Sequence, residues 1–549
     1  MIYIMLGSII GIRLRIYKDI SLFLFSLIIM FLMYFLNEKL KNNIKNNIKT
    51  KKEYFLRKEI YLTDYIIKIG LIDILVFILS TVFFVIYINY FEFKYTKFKE
   101  KIFLQKENSI TENLEKNVYI ISKKEGEYNK IYTVYLINEK TIGEIYGSKK
   151  SKDINIGKTY KVKMNLKNLE DEFNPKGFSE KKYYLSKFKQ FKAKGIEFKD
   201  NKLKIPIHIK VLGNIYKLKE KIYLNYAKYI KDTISLGITL GDKEILKKEV
   251  LEDFKRLNIY HILSVSGMHI SILIFILSNF QKTFKTNNLF NYILEVINFI
   301  ILLSFLALTA FSVSTIRAFF MFYLNKIFKT LNISVRFIDI LSFVFILNVL
   351  INPYTIFFAG IYLSFLAVCA IKLTTYILKT NNICILILVI NILIQPILIY
   401  FTNILSLNFL LGNILITSIA TCIILLSNIF ILVFLFSYFL KLLLLKAFSI
   451  KILLRSNISF DIFFNKAFNL VLNPIYSFIS FFINTLNKLL LFFIKLLKPL
   501  TLDNIYIEHL SIFFYLIYYL LIYFIFKSIE IMKKKKEYLF LNLFNGDYY

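Results

Sequence analysis

Long apolar runs separated by short polar islands make up most of this chain. Residues 66–88, 292–311 and 410–440 are examples. Each reaches the roughly 20 residues that a helix needs to cross a bilayer. The runs are continuous rather than alternating, and in lipid only helices or closed barrels satisfy the backbone, so they predict helices. Residues 1–36 read as a helical hairpin broken at "RLRIYKD". Residues 37–65 are a loop with eight Lys or Arg between Lys39 and Lys58. From 262 to 526 the chain is nearly all apolar and predicts eight or nine spans, with indistinct boundaries over 402–500.

One stretch breaks this pattern. Between 92 and 215 the period falls to two: in "KTYKVKMNL", Tyr160, Val162, Met164 and Leu166 alternate with Lys161, Lys163 and Asn165. That is the signature of a half-buried strand. Residues 117–122, 130–137, 140–147 and 205–212 also read as strands. Five short strands suit a small β-barrel of the OB type, with a β-sandwich as the rival. The fold expected is therefore a polytopic α-helical membrane protein carrying one extracytoplasmic, OB-like β-barrel domain. Its segments are 1–91 (membrane helices with the basic loop), 92–215 (β domain), 216–260 (interfacial amphipathic helices), 261–530 (membrane domain) and 531–549 (tail).

Charge adds orientation. The basic loop at 37–65 and the "KKKK" at 533–536 are cytoplasmic by the positive-inside rule. That places 92–215 outside and the C-terminus inside, which needs an odd number of later crossings and favours nine. A cysteine introduced at Lys149 is then expected to react with an impermeant maleimide on whole cells, and one at Lys49 is not; the reverse pattern would overturn the orientation. The net charge of +34 points to anionic partners. Much of the lysine excess nonetheless accompanies the abundance of Ile, Asn, Phe and Tyr that an AT-rich genome writes. Cys369, Cys384 and Cys422 lie in apolar runs and are expected to be small buried hydrophobes. The N-terminus lacks the features of a cleaved signal.

Polar islands inside the apolar region carry the candidate chemistry, because polar groups there are costly unless they face protein or water. In "HILSVSGMHI" (261–270), helical spacing would put His261, Ser264, Gly267 and Ser271 on one side, with Ser266 and His269 on another. Tight packing or a polar pathway would each explain such a face. No zinc site is expected, and a Ser266–His269 hydrolase lacks a third group. In "SVSTIRAFFM" (312–321), Ser314 and Arg317 share a face. Arg317 either snorkels or faces a pathway along which an anion such as phosphate passes. Gly237 and Gly241 form a small-xxx-small pair, and Asp242 is placed to cap a helix starting at Lys243. Asn352 and Pro353 mark a loop before Ser364. Tyr119, Tyr128, Tyr132, Tyr135, Tyr160, Tyr183 and Tyr184 are interleaved with lysines, as strand core or as stacking surfaces for bases.

Five of these segments, in order, resemble the ComEC family of bacterial natural transformation. "HILSVSGMHISIL" is similar to its His-Leu-Leu-Ala-hydrophobic-Ser-Gly-Leu-His signature, and "LGITLGDKEIL" to the Gly-x-x-x-Gly-Asp segment before it. "SVSTIRAFFM" resembles its Ser-x-x-Arg-Ala segment. "NP…GIYLSFLAV" resembles its Asn-Pro…Gly-Phe-Gln-Leu-Ser-Phe segment, with Tyr362 in place of Gln. "FNPKGFSEKKYYLSKFKQFKAKGI", with Asn174, Pro175 and Gly177, resembles the end of its external domain. The resemblance implies a channel for single-stranded DNA in the bacterial cytoplasmic membrane. It also implies partners: the lipid bilayer, a cytoplasmic DNA-translocating ATPase and an extracytoplasmic DNA-receptor protein. Longer members carry a metallo-β-lactamase-like nuclease. This chain lacks the His-x-His-x-Asp-His motif and any nucleotide-binding loop, so a separate nuclease, no metal, no cofactor and no enzymatic activity are expected. A transporter or flippase for another polyanion or lipid, and an intramembrane serine hydrolase, are the alternatives.

Overall fold

The computed structural model describes residues 71–103, 110–125, 129–148, 154–167, 179–283, 288–378, 382–405, 408–452, 459–501 and 505–507, with isolated residues among 5–10, 169 and 514–532. Nearly all of the expected N-terminal hairpin lies outside these residues. So do the basic loop, Tyr128, Asn174, Pro175, Gly177 and the tail beyond Met532. The chain divides into two compact units: 1–114 with 165–192 and 320–357, and 115–164 with 193–319 and 358–549.

A long apolar helix, Leu71–Phe103 (α1), precedes the strands Ile110–Glu125 (β1), Asn129–Leu136 (β2), Thr141–Ser148 (β3) and Thr159–Lys167 (β4). The short helix Glu180–Ser186 (α2) and strand Lys192–Asn201 (β5) follow. The five strands close into a barrel in the order β1-β2-β3-β5-β4. Antiparallel pairs such as Val118↔Leu136 and Tyr132↔Ile145 set its register, and a bulge interrupts β1 between Ile120 and Ser122. In β4 the expected alternation holds: Tyr160, Val162, Met164 and Leu166 are buried, while Lys161 is exposed.

The fifth strand is not where the pattern put it. Residues 205–212 open a helix, Ile207–Tyr229 (α3), with Pro206 at its N-cap. Proline has no N–H and a fixed φ, so it suits a helix start, and a short apolar run alone does not separate strand from helix. Ile209 and Gly213 bury one side of α3, as helical spacing requires, and Tyr216 extends it. That side packs on Tyr119, Ile121 and Tyr135 of the barrel. Gly213 permits the approach, because a Cβ there would lie 2.3 Å from the Tyr119 hydroxyl.

The helices Ile234–Leu240 (α4), Lys248–Arg256 (α5), Gly267–Thr283 (α6), Asn288–Leu308 (α7) and Val313–Thr330 (α8) come next. Then come Phe337–Ile351 (α9), Ala359–Leu373 (α10), Ile383–Thr402 (α11), Phe409–Ile452 (α12) and Ser459–Leu497 (α13). Two-residue strands Ile404–Leu405 (β6) and Ile505–Tyr506 (β7) pair with each other. Among the described residues, five helices are long and apolar enough to cross a membrane: α1, α7, α11, α12 and α13. The cysteines depart from expectation. Cys369 is half-buried, and Cys384 and Cys422 are exposed, on faces of apolar helices that no described element covers.

In the first unit, Asn352 donates from Nδ2 to the carbonyls of Leu185 and Ser186, 2.9 Å each, at the end of α2. Its Oδ1 accepts the Tyr354 N–H at 3.0 Å. Carbonyls at a helix end have no partner within the helix, so this asparagine meets a fixed need. Pro353 opens the 3₁₀ turn Pro353–Phe357 beside it. In the second unit, α12 and α13 pack Ile416, Ile423, Ile424, Leu490 and Ile494 around Ile238, Phe254 and Leu257. Fully burying one such side chain contributes about 2 kcal/mol.

Candidate functional site

The decamer 261–270 is not one helix. Tyr260–Leu263 form a 3₁₀ turn, Ser264 is extended, and α6 begins at Gly267. The expected helical face of His261, Ser264, Gly267 and Ser271 therefore does not form. His261 and Ser264 are exposed, and Ser271 returns its hydroxyl to the Gly267 carbonyl at 2.8 Å.

What the segment builds instead is a helix start. The Met268 N–H donates to Ser266 Oγ at 3.2 Å, and the Ser266 N–H donates to His269 Nδ1 at 3.1 Å. The N-cap side chain thus takes the N–H of the second helical residue and the third residue's ring takes the N-cap N–H, a variant of the capping box with histidine where glutamate or glutamine is usual. His269 is fully buried, and its Nε2 lies 2.9 Å from the Ile238 carbonyl. A carbonyl only accepts, so Nε2 carries the hydrogen and Nδ1 is the acceptor. His269 thus ties the start of α6 to α4 and has no ring nitrogen left for a substrate.

Helix α4 is buried along its whole length. Gly237 packs against Leu246, and Gly241, at φ +69°, ends the helix in the left-handed region beside Val265. Asp242 does not cap the next turn with its side chain, contrary to expectation. Stronger partners take it. Lys219 of α3 approaches to 3.2 Å, Lys124 of β1 to 3.8 Å, and the Tyr223 hydroxyl donates to it at 2.6 Å. Burial alone would raise the Asp242 carboxyl. The two lysines and the tyrosine outweigh burial and hold its pKa below the usual aspartate value. One carboxylate thereby joins the barrel, α3 and the segment that leads into α6.

Helix α8 starts with a second cap, which sequence reasoning missed. The Thr315 N–H donates to Ser312 Oγ at 3.4 Å, and the two hydroxyls lie 3.0 Å apart. The signal was present as Ser312 three residues before Thr315, ahead of an apolar run. Ser314 is half-buried. Arg317, in the next turn, is 6% exposed, and its Nε has no hydrogen-bond partner. Its guanidinium lies 5.7 Å from the centre of the Phe365 ring. Its Nη2 would stand 2.9 Å from a Cβ at Gly267. Phe365 and Cys369 of α10 complete the surroundings. Neither was singled out in the sequence. Ser364, next to Phe365, is buried with its Oγ unbonded. A cation–π contact offers up to about 2 kcal/mol. Withdrawing an unpaired charge from water costs several. The aromatic ring alone does not balance Arg317.

The described tyrosines of the barrel segment are mostly core. Tyr119, Tyr132, Tyr135, Tyr160 and Tyr184 are buried, and Tyr183 is half-buried under Lys187.

These observations define a helix-rich chain with a closed five-stranded barrel, apolar helices of membrane-spanning length, and an arginine buried between α8, the start of α6 and α10. Residues 238–461 match the family model described as competence protein. The match starts inside α4 at the Ile238 carbonyl that holds His269. It includes the α6 cap, Arg317, Asn352 and Ser364, and it supports a competence protein family for this chain. No curated protein and no solved structure matches.

Proposed function

We propose that this chain is a channel of the bacterial cytoplasmic membrane that admits one strand of DNA during natural transformation. The competence-family match over 238–461 carries the reading. The buried cation inside that segment adds to it, since a helix bundle that serves only to pack has no use for an unbalanced guanidinium. On this reading the five-stranded barrel is an OB-like domain outside the membrane. Nine crossings follow it, and the C-terminus lies inside. The domains run 1–91, 92–215, 216–260, 261–530 and 531–549. With its described tyrosines mostly turned inward, the barrel meets the strand chiefly through lysines, a sequence-indifferent and salt-sensitive mode.

A cytoplasmic ATPase would supply the pull, an extracytoplasmic receptor would deliver DNA, and a separate nuclease would remove the other strand. We assign no enzymatic activity, because the Ser266–His269 pair is spent on capping α6. The test is a deletion strain supplied with linear marker DNA. Natural transformation should be lost while electroporation of the same DNA still succeeds. Ordinary transformation of the deletion strain would overturn the reading and favour transport of another polyanion or lipid.

A further inference from the structure

We infer that the start of α6, covered by Arg317, is an anion site that takes a single phosphate group. Two independent observations meet there. The first is the N-terminus of a 17-residue helix, whose backbone dipole favours negative charge at Gly267. The second is Arg317, a residue 6% exposed whose Nε is buried and unbonded and whose Nη2 lies against that same glycine. Among the described residues no hydrogen bond or ion pair reaches this guanidinium. The neighbours identified around it, Phe365 and Cys369, bring no carboxylate. Two positive ends therefore face each other without a counter-charge, an arrangement that an anion between them relieves.

Phosphate fits the donors. A guanidinium presents a planar fork that matches two phosphate oxygens, and the dipole of the helix start, whose Ser266 and Met268 N–H groups are already bonded in the cap, favours the remaining negative charge. Such a site reads backbone and not bases, so it holds any sequence equally. Gly267 sets the spacing: a Cβ there would come within 2.9 Å of Nη2 and push the guanidinium aside. The displaced atom is the far end of a flexible chain, so Gly267→Ala should disturb the site without unfolding the helix. The inference rests on the uptake reading only in naming a DNA strand as the source of the phosphate.

The experiment uses the purified full chain in neutral detergent, with calorimetric titration of inorganic phosphate at fixed ionic strength. The wild type should show one saturable site. Arg317→Gln should weaken it at least about tenfold, the factor that one lost charged partner typically gives. Gly267→Ala should weaken it several-fold, and Arg317→Lys should fall between wild type and Arg317→Gln. Equal phosphate binding by wild type and Arg317→Gln would overturn the site, whatever the result for DNA uptake. A single-stranded thymidine oligonucleotide that displaces the phosphate supports a strand as the ligand. Displacement by phosphatidylglycerol micelles alone would overturn that assignment in favour of a lipid headgroup. Lost uptake in the deletion strain without phosphate binding rejects the site and keeps the function. Phosphate binding with normal uptake does the reverse.

Discussion

Arg317→Gln should abolish or greatly reduce DNA internalisation while leaving the protein level and DNA binding at the cell surface intact. The expected loss is roughly a hundredfold or more, the factor that about 3 kcal/mol of lost charge stabilisation produces. The residue is buried, its Nε is unbonded, and only an aromatic ring faces it as a counterpart. In a low-dielectric wall that charge acts on a passing phosphate far more strongly than it would in water. Arg317→Lys keeps a cation but loses the planar fork, so it should retain part of the activity. Surface-bound DNA that stays accessible to added nuclease would locate the defect after binding. If Arg317 only packed α8 against α10, glutamine would be tolerated, or the protein would disappear from the membrane. Normal uptake by a well-expressed Arg317→Gln variant would remove the residue from the path.

Asp242→Asn should destabilise the chain by about 3 kcal/mol. That is the low end of the cost of breaking a buried ion pair from one side. The low end applies because Lys124, 40% exposed, can turn to water, and Lys219, 13% exposed, keeps its contact with the Tyr223 ring. Adding Lys219→Met removes a mostly buried cation that has lost its carboxylate and should recover part of the loss. The pH dependence follows from the direction of the shift. A carboxyl whose folded pKa lies below its unfolded value contributes its full stabilisation above the ordinary aspartate pKa of about 4. That contribution is lost as pH falls through the depressed folded value. Between pH 5 and 8 the difference between wild type and Asp242→Asn should therefore stay constant, and it should shrink only in acid. Thermal unfolding of both proteins across pH checks this. A difference that collapses near neutrality would contradict it.

How far the sequence was legible depended on how local each cause was. Alternation exposed β4, because one buried face forces period two on the residues themselves; β1, where Val118 to Ser122 are all buried, showed only as a short apolar run between polar clusters. Alternation failed at 205–212, where Ile205, Ile207, Ile209 and Val211 alternate as in a strand yet Ile207 and Val211 are exposed on a helix, and Pro206 was the better guide. The fifth strand, "KAKGIEFKDN", shows little alternation, since its burial is irregular along its length. The polar decamer stood out by composition. Its function as a helix cap did not, because the partner that fixes the His269 ring is a backbone carbonyl at Ile238. Asp242 was expected to bond locally, yet its partners lie on β1 and α3, more than a hundred and about twenty residues away in sequence. Arg317 was found from sequence, since a charge in an apolar run is conspicuous anywhere. That it lies against Gly267 and beside Phe365 required the fold.

The central claim is that one DNA strand passes inward through this chain, and strand-resolved recovery of labelled DNA tests it most directly. Duplex DNA labelled differently on each strand is offered to the deletion strain and to the same strain complemented with this chain. External DNA is then digested, and the protected label is counted. The account predicts protected label from a single strand of each internalised molecule in complemented cells, and none in the deletion strain. Equal protected label in both strains, or both strands recovered intact through this chain, would contradict it.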